Sequence, residues 1–444
     1  MTDQAIPHPP WRIPFIGDVI GIDSLRPNQK TLEQFKRLGP IYRRSIIGAG
    51  DLTFVGSSAL ASQTLDEARW ERFAGRPIKR LRDIAGDGLF TADNDSAEWQ
   101  TGHEVLASGF TQEAMRRYHD DMLATSEELT KALGEDHPHQ SSVETITNRA
   151  ALDVIGKCGF GFPFWESDLS DQFADALKGA LAFTQSASIP VVGAGIERKK
   201  RAQFDRDVAV LHQIITDVMD RRRRGAADSP RDLLEVMMES KQLSDRAIRD
   251  QIITFLIAGH ETTGNLLAFA LFYLARDSEL VEALRSEREE SCSDGAILSY
   301  DDVARLKITR AVVSETLRLW PTAPGFFRAA RETTEVGGVR FEPGEWVFLL
   351  MLSIHRDEEV WGPTASQFEH KRFLSKTPRD AVYRPFGAGP RACIGRQFAL
   401  HEATLLLANL ASAFNMAPAD NTLTPAVDEN LTLRPRVAIE FTPR

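Results

Sequence analysis

Residues 384–396 read RPFGAGPRACIGR, and this stretch decides how the chain is interpreted. Cys393 lies between Gly389 and Gly395, and a helical sequence follows it. The free amides of a glycine-containing loop and the N-terminus of a helix both stabilise a thiolate, the form of cysteine that binds a metal. The glycines let the backbone approach a flat cofactor, and Arg391 can pair with a carboxylate. A loop that contains only a buried cysteine is the alternative that these residues leave open.

A long helix is predicted over about 244–276, because Ser244 can serve as its N-cap and apolar residues recur at helical spacing. At 1.5 Å per residue it would span roughly 50 Å, which is enough to cross a domain of this size. Residues 252–257 are apolar on nearly every side, so the helix is predicted to be buried.

The middle of this helix reads AGHETT over residues 258–263. A buried run should not contain a glycine and several polar residues unless something requires them. His260 and Glu261 begin the zinc-binding pattern HExxH, but Gly264 occupies the position of the second histidine, so the pattern fails. A polar bend in the helix remains the alternative to a functional site.

The composition is that of a globular chain, with 444 residues, 42% of them apolar and 26% charged, and a net charge of −10. These values exclude a disordered chain, a collagen-like chain and a small disulfide-stapled protein. The acidic total argues against nucleic acid as a partner, and the four arginines at 221–224 fit the end of a helix, where cations complement the dipole. The sequence contains no run of 18 apolar residues, which a membrane span would need. Its first residues do not show the basic and then apolar pattern of a leader peptide. We therefore expect a soluble, cytoplasmic protein.

The pattern along the chain predicts a mainly α fold with a small β portion. Short apolar runs predict a β-rich part at about 36–58, and the segment from about 59 to 276 is largely helical. After Trp320 the sequence pattern predicts short strands and turns, and one more helix is predicted to begin near Ile394. No internal repeat or long linker divides the chain, so 1–444 is expected to be a single domain.

Phe386, Gly389, Arg391, Cys393 and Gly395 match every fixed position of the pattern FxxGxRxCxG. The segment thereby resembles the haem-binding signature of the cytochrome P450 family. The resemblance implies the P450 fold around haem b (iron protoporphyrin IX), with a ligand loop at 386–395 and Cys393 as the thiolate ligand of the iron. It further implies that Phe386 tunes the sulfur and that Arg391 pairs with a haem propionate.

The sequence AGHETT is similar to the oxygen-binding stretch of the distal helix in that family. The resemblance implies that Ala258 and Gly259 let the helix pass close over the haem, and Gly387 is assigned to the cofactor contact as well. It implies that Thr262 breaks the local hydrogen-bond ladder and holds O₂ with water, while Glu261 helps to relay protons. These two are the predicted catalytic residues, and the intact pair favours reductive oxygen activation over peroxide-dependent chemistry.

Two further elements of the family are structural. Glu315 and Arg318 form an ExxR motif, and Arg372 matches its usual later partner, so the three are assigned to stability and to the shape of the haem pocket. Trp99 and His103 resemble the WxxxR/H element that contacts the propionates. Taken alone, a Trp and a His at this spacing are more often ordinary core and surface residues.

Nearly the whole chain resembles the haem domain of self-sufficient bacterial fatty-acid hydroxylases, as in DGLFTADNDSAEW and RACIGRQFALHEAT. That group carries a fused flavin reductase, and this sequence ends too soon after Cys393 to include one. We therefore expect electrons from separate proteins, an acidic ferredoxin or flavodoxin with its reductase. The expected docking site is a basic patch made by Arg384, Arg391, Arg396, Arg116 and Arg117.

The resemblance also implies an apolar substrate pocket, which fits a lipophilic substrate. Its predicted lining is Phe90, Ala85, Ile78, Leu81, Leu181, Ala323 and Leu431. The hairpin at 48–54 departs from the related hydroxylases, because it has no arginine and has Phe54 where a tyrosine would help to hold a carboxylate. Arg43 and Arg44 lie just upstream and are the candidates to replace these groups.

The predicted function is a haem-thiolate monooxygenase, an oxidoreductase that inserts one oxygen atom of O₂ into C–H bonds of a lipophilic substrate, with fatty acids as one class. Within enzymes, the alternative is a P450 that uses peroxide or couples carbon atoms. Outside enzymes, the alternative is a non-catalytic haem-thiolate binding protein, which would need neither Glu261 nor Thr262.

Overall fold

The structure, a computed structural model, describes residues 6–48, 50–135, 142–165, 169–185, 194–225, 232–292, 297–375 and 382–444. Helices dominate these residues, and the strands form small sheets. The mainly α fold with a small β portion is therefore confirmed. Among the residues that the structure describes, none of the helices combines the length and the apolar character that crossing a bilayer requires.

The helices follow one another through most of the chain. In order, they are α1 (Pro27–Leu38), α2 (Ser58–Ser62), α3 (Arg76–Ala85), α4 (Ala97–Ala107), α5 (Gln112–Glu135), α6 (Val143–Phe160), α7 (Leu169–Gln185), α8 (Ala194–Arg223), α9 (Leu233–Ser240), α10 (Asp245–Leu274), α11 (Ser278–Ser291), α12 (Tyr300–Arg305), α13 (Lys307–Leu319), α14 (Met351–Ile354), α15 (Glu358–Trp361), α16 (Arg372–Ser375) and α17 (Arg396–Ala413).

The strands belong to one five-stranded sheet and to small two-stranded ribbons. They are β1 (Ile41–Ile46), β2 (Gly50–Val55), β3 (Trp70–Arg72), β4 (Gly325–Ala330), β5 (Thr334–Val336), β6 (Val339–Phe341), β7 (Trp346–Leu350), β8 (Phe414–Pro418), β9 (Ala426–Glu429), β10 (Leu433–Arg436) and β11 (Ile439–Pro443). The large sheet has the order β1-β2-β7-β4-β3, in which β2 and β7 are parallel and the other neighbours antiparallel. One of its faces is closed, because Val55, Val347 and Leu349 are fully buried in a core of their own.

The long helix α10 crosses the main core, as its apolar sequence predicts. The hydroxyl of Ser244 accepts a hydrogen bond from the N–H of Ala247 and caps the helix, which ends at Leu274, two residues before the predicted end. The backbone of α10 packs very closely against α6 at Gly264. A Cβ at Gly264 would lie 2.2 Å from Oδ1 of Asn148, so only glycine allows this approach.

Two other predictions are met with small differences. The hairpin of β1 and β2 lies inside the predicted β-rich part, and the last helix begins at Arg396 rather than near Ile394. The arginine run at 221–224 lies at the end of α8, where Arg222 pairs with Asp232 and Arg223 pairs with Asp245. These pairings support the interpretation of the run as a helix end with neighbouring carboxylates.

Candidate active site

The loop before α17 brings its two ends together. The N–H of Cys393 donates a hydrogen bond to the carbonyl of Phe386, with an N···O distance of 2.9 Å. Gly387 and Gly389 have φ angles of +77° and +68°, a left-handed conformation that favours glycine. A Cβ at Gly389 would also lie 2.0 Å from Oε1 of Glu67. Position 389 therefore requires glycine, both because its backbone is left-handed and because a Cβ would clash with Glu67. The loop places Cys393 just before α17.

Cys393 has accessible surface although protein atoms surround it, so its side chain borders an internal space rather than open solvent. Burial raises the pKa of its thiol, while the N–H of Gly395 and the charge of Arg396 oppose that rise. A metal cation bound to the sulfur would reverse this balance, because coordination stabilises the thiolate. The position and chemistry of this donor fit the iron of a haem.

The middle of α10 is open although residues 250–257 and 263–272 on either side of it are buried. Residues 258–262 retain accessible surface, and Ala258 is exposed. An exposed alanine in the middle of a buried helix means that a space lies beside it, and Ala323 is likewise exposed between buried neighbours. The Cβ position of Gly259 points instead at Ile155 of α6, 3.5 Å away. Ala258 thus borders the space, whereas Gly259 faces the neighbouring helix.

Thr262 and Glu261 lie side by side on this open stretch. The Thr262 hydroxyl donates to the carbonyl of Ala258 one turn earlier (2.7 Å), and α10 continues without interruption. The helix is continuous here, and the Thr262 hydroxyl competes for a carbonyl that the backbone ladder also uses. The carboxylate of Glu261 accepts a hydrogen bond from the hydroxyl of Thr432 (3.0 Å). Each member of the pair is held by a partner of its own.

A chain of hydrogen bonds with a single direction ends on Glu261. The amide of Asn148 donates to Asn265 (3.2 Å), Asn265 donates to the hydroxyl of Thr432 (3.3 Å), and Thr432 donates to Glu261. Asn265 is fully buried, so its donor is committed to this contact. The chain holds one carboxylate oxygen of Glu261 as an acceptor. The sequence prediction missed Asn148, Asn265 and Thr432.

An arginine cluster, made by Arg72, Arg82 and Arg391, surrounds the segment 89–93. Arg72 comes from β3, Arg82 from α3 and Arg391 from the cysteine loop. Together they donate hydrogen bonds to five successive backbone carbonyls. Arg391 binds those of Leu89 and Asp93, Arg72 binds those of Phe90 and Ala92, and Arg82 binds that of Thr91. The cluster fixes the backbone on which Phe90 lies.

The charge of this cluster is compensated in part by Asp93, which pairs with Arg82 at 2.8 Å. Burial, together with the nearby charges of Arg72 and Arg82, lowers the pKa of Arg391 to about 10, although Asp93 opposes this change. Burial also lowers the pKa of Arg72 to about 10. A partly buried group of three cations with one carboxylate is a favourable place for further anions. The two carboxylates of a haem fit this requirement, and Arg391 is one of the predicted residues.

Trp99 lies against the same cluster. The guanidinium of Arg391 is 4.0 Å from the centre of its indole ring, and the ring of His103 lies 5.0 Å further along α4. The hydroxyl of Ser96 caps α4 through the N–H of Trp99, which fixes the start of this helix. The structure thus brings Trp99 and Arg391 together, with His103 adjacent to Trp99. Arg72 and Arg82 were missed, because their contacts join distant segments and form no local motif.

The residues predicted to line the substrate pocket divide into three groups. Leu81, Ala85 and Leu181 are fully buried in the main core, so they lie behind the surface of the space. Ile78, Phe90 and Leu431 are half-buried, and Ala323 is exposed. The guanidinium of Arg72 lies 5.9 Å from the ring of Phe90 and restricts its position.

Glu315 and Arg318 of α13 form a fully buried ion pair, with Nε to Oε2 at 2.7 Å and Nη2 to Oε1 at 2.8 Å. Arg372 approaches the same carboxylate at 3.6 Å, as its place in the family pattern predicts. The remaining donors of Arg318 bind the carbonyls of His355, Ala365 and Gln367. One arginine thus joins α13 to three later points of the chain.

This network continues into the cysteine loop. Arg318 donates to the carbonyl of His355 (2.7 Å), and Nε2 of His355 accepts a hydrogen bond from the N–H of Arg384 (3.0 Å). Burial lowers the pKa of His355 to about 3, so its imidazole is neutral and can accept. Tyr383 adds a bond from its hydroxyl to the carbonyl of Ser314 (2.9 Å). The ExxR pair therefore positions the first residue of the 384–396 segment.

The arginines predicted to form a basic patch have different surroundings. Arg391 points into the arginine cluster, Arg116 makes two hydrogen bonds to Asp301, and Arg117 pairs with Glu113. Arg396 is exposed and Arg384 half-buried, and neither has a carboxylate partner within the described part of the chain. The unpaired positive charge beside the loop is therefore smaller than predicted.

Comparisons with known proteins agree with this geometry. A family model described as cytochrome P450 matches residues 7–441. A bifunctional cytochrome P450/NADPH–P450 reductase of Bacillus subtilis is 36% identical over 85% of this chain and 37% of its own length. A protein of the same description from Bacillus cereus is 33% identical over 97% and 41%, and a self-sufficient cytochrome P450 monooxygenase of Exserohilum turcicum is 30% identical over 97% and 42%. The chain spans about two fifths of the length of these curated relatives.

Proposed function

The chain belongs to the cytochrome P450 family, whose cofactor is haem b, and on that premise we propose that it inserts one oxygen atom of O₂ into C–H bonds of a lipophilic substrate. The observation that carries the proposal is the pairing of an accessible cysteine thiol, in a loop that requires glycine, with a carboxylate and an alcohol on the open stretch of α10. A binding protein would need the cysteine but neither Glu261 nor Thr262.

Cys393 would hold the cofactor through its sulfur, while the arginine cluster and Trp99 would hold its carboxylates. A bound haem with a thiolate ligand supplies the oxidation chemistry, since it activates O₂ with electrons and protons. The protein therefore has to provide orientation, protons and the exclusion of water. The half-buried apolar residues Ile78, Phe90 and Leu431 serve the last of these tasks.

Protons would reach the reacting oxygen through Glu261 and Thr262. Thr432 holds one carboxylate oxygen of Glu261, which leaves the other oxygen free to exchange protons with water. The Thr262 hydroxyl already has a fixed acceptor in the carbonyl of Ala258, so its lone pairs face the open side of α10. Glu261 thus acts as the proton source, and Thr262 passes protons on.

Replacing Thr262 with alanine is expected to lower the product formed per electron consumed about tenfold, with hydrogen peroxide appearing instead, because the group that passes protons on from Glu261 is lost. The measurement compares NADPH use, peroxide and product with an added ferredoxin and reductase. The substrate is the first of a fatty acid, a terpenoid and an aromatic probe that shifts the ferric haem spectrum. The matched control is Thr254→Ala, which removes the same back-bond, to Asp250 (2.8 Å), earlier in α10.

Thr254→Ala should leave this ratio near the wild-type value. Equal coupling in wild type and Thr262→Ala would contradict the proton-relay role. Full turnover of the Thr262 variant with added peroxide and no electron donor would favour the peroxide-using alternative. Absence of any product with every electron donor and with peroxide would leave the non-catalytic binding protein as the better description.

We further propose that electrons arrive from a separate acidic ferredoxin or flavodoxin at the surface beside the cysteine loop. Arg396 is exposed there and lies over the ring of Phe386 at 5.8 Å, so a docked anionic protein would come close to the cofactor. Arg384 adds a second cation beside it. Because Arg116 and Arg117 are already paired, the attraction rests on few charges.

Raising the salt concentration from about 20 mM to about 300 mM is expected to slow reduction by an acidic ferredoxin about three- to tenfold, since it screens these charges. Arg396→Ala should slow the reaction at low salt and flatten its salt dependence. Arg117→Ala, which removes a charge paired with Glu113, is the control and should have a smaller effect. Stopped-flow reduction measures all three, and rates that are independent of salt would remove this docking proposal.

A further inference from the structure

One face of the five-stranded sheet carries a row of aromatic side chains outside the candidate active site. Phe54 of β2 lies opposite Phe348 of β7, and Phe348 lies opposite Phe327 of β4. The ring centres are 6.2 Å apart for the first pair and 4.7 Å apart for the second. Phe73 and Trp346 extend the row, with parallel rings 5.4 Å apart. We call these five residues the aromatic strip.

The aromatic strip is open, in contrast to the other face of the same strands. All five aromatic residues are half-buried, whereas Val55, Val347 and Leu349 on the opposite face are fully buried. Large apolar side chains that keep accessible surface side by side mark a place where an apolar partner binds. The strip is therefore a surface for binding in addition to its role in packing.

One end of the strip adjoins a cavity. A space of about 200 Å³ lies between the hairpin of β1 and β2, the first turn of α1 and the segment before it. Its walls include the apolar Phe54, Leu52, Ile46 and Ile22 and, at the side of α1, the polar Asn28 and Thr31. An apolar cavity of about 150 Å³ is large enough for a benzene ring. The ring of Tyr42 already stacks on Phe54 at 5.0 Å, so a six-membered ring that enters here would meet Phe54 on the side that Tyr42 leaves open.

The other end of the strip leads to the candidate active site. β4 begins at Gly325, and Phe327 is four residues after the exposed Ala323, so the two lie within about 13 Å of each other. Gly75, just before α3, has its Cβ position 2.8 Å from the ring of Phe327, so α3 covers this end of the strip. The strip thus runs from the hairpin cavity, under α3, towards the space beside α10.

We propose that the aromatic strip is the wall of the substrate passage and that it selects substrates carrying a planar aromatic ring. This inference rests on the proposed function, in that it names the class of the lipophilic substrate. Aromatic rings gain edge-to-face and offset contacts with other rings beyond the area that they bury, and a saturated ring of similar size does not. A wall that served alkyl chains alone would need only aliphatic residues.

The test uses two ligands of equal chain length, 6-phenylhexanoic acid and 6-cyclohexylhexanoic acid, with the ferric holoenzyme. Calorimetry and the change in the haem spectrum give the dissociation constants. The phenyl compound is expected to bind about three- to tenfold more tightly. Phe348→Leu and Phe327→Leu should remove this difference. Phe326→Leu is the control, because Phe326 precedes Phe327 in β4 and lies opposite Leu349 of β7, so it packs on the other, closed face.

Equal affinities for the two ligands in the wild-type protein would overturn the proposal, as would a preference that survives in both strip variants. The proposed function can fail separately. A phenyl preference in calorimetry with no product from either ligand would keep the strip as a binding site and reject the monooxygenase. Product from both ligands without any preference would support the monooxygenase and reject the aromatic strip as a selective binding site.

Discussion

Replacing Cys393 with serine is expected to abolish the red-shifted Soret band that the reduced carbon-monoxide complex of a thiolate-ligated haem shows. Serine keeps the size of the side chain and the loop contacts, including the N–H of residue 393 on the carbonyl of Phe386. What it removes is the soft, deprotonatable sulfur, and no other residue in this loop offers such a ligand. The measurement is the difference spectrum after reduction with dithionite and addition of carbon monoxide.

The chain offers matched controls for this experiment. Cys292 is half-buried and donates weakly to the carbonyl of Ile297 (3.2 Å), so Cys292→Ser should keep the band. Cys158 is fully buried in the main core, where serine would cost stability without changing the ligand. A normal spectrum from Cys393→Ser would reject the ligand assignment, whereas loss of the band in Cys292→Ser would point to a different thiolate.

The parts of this site that the sequence predicts are those whose residues are neighbours in the chain. The loop around Cys393 is predictable because glycine, arginine and cysteine at fixed spacing serve one local geometry, and Gly389 does have the left-handed φ that this geometry needs. The helix α10 is predictable because its apolar run is long and its N-cap, Ser244, is conventional. Local chemistry and periodicity are both visible in one sequence.

The parts that escape prediction are contacts between distant segments. Arg72 and Arg391 both bind the segment 89–93, and Thr432 binds Glu261 although 171 residues separate them. An isolated arginine or threonine in a sequence is compatible with any surface position, so no local sequence pattern predicts these contacts. The surroundings of Gly259 likewise depend on another helix, because its Cβ position lies 3.5 Å from Ile155. Tertiary packing supplies this information.

Replacing Arg318 with methionine is expected to have the largest effect on the fold. Arg318 and Glu315 are both fully buried, and removal of this cation leaves the carboxylate in the core with only the more distant Arg372, at 3.6 Å, as a charged partner in the described part of the chain. Breaking a buried pair in this way costs about 3–5 kcal/mol. The five hydrogen bonds of Arg318 also disappear, including the one to His355, whose ring holds the N–H of Arg384. We therefore expect loss of haem binding together with a lower unfolding midpoint.

Three comparison variants separate this mechanism from a general loss of charge. Arg372→Met should have an intermediate effect, because Arg372 approaches Glu315 at 3.6 Å and is less buried than Arg318. Arg318→Lys should also be intermediate, since lysine keeps the charge but has fewer donors and no planar fork. Arg340→Met removes an exposed pair with Glu342 and should match the wild-type protein. Haem content per chain and circular dichroism on heating give both readouts. Retention of full haem content and an unchanged midpoint in Arg318→Met would show that the pair does not position the cysteine loop, because the bond through His355 is the link on which that role depends.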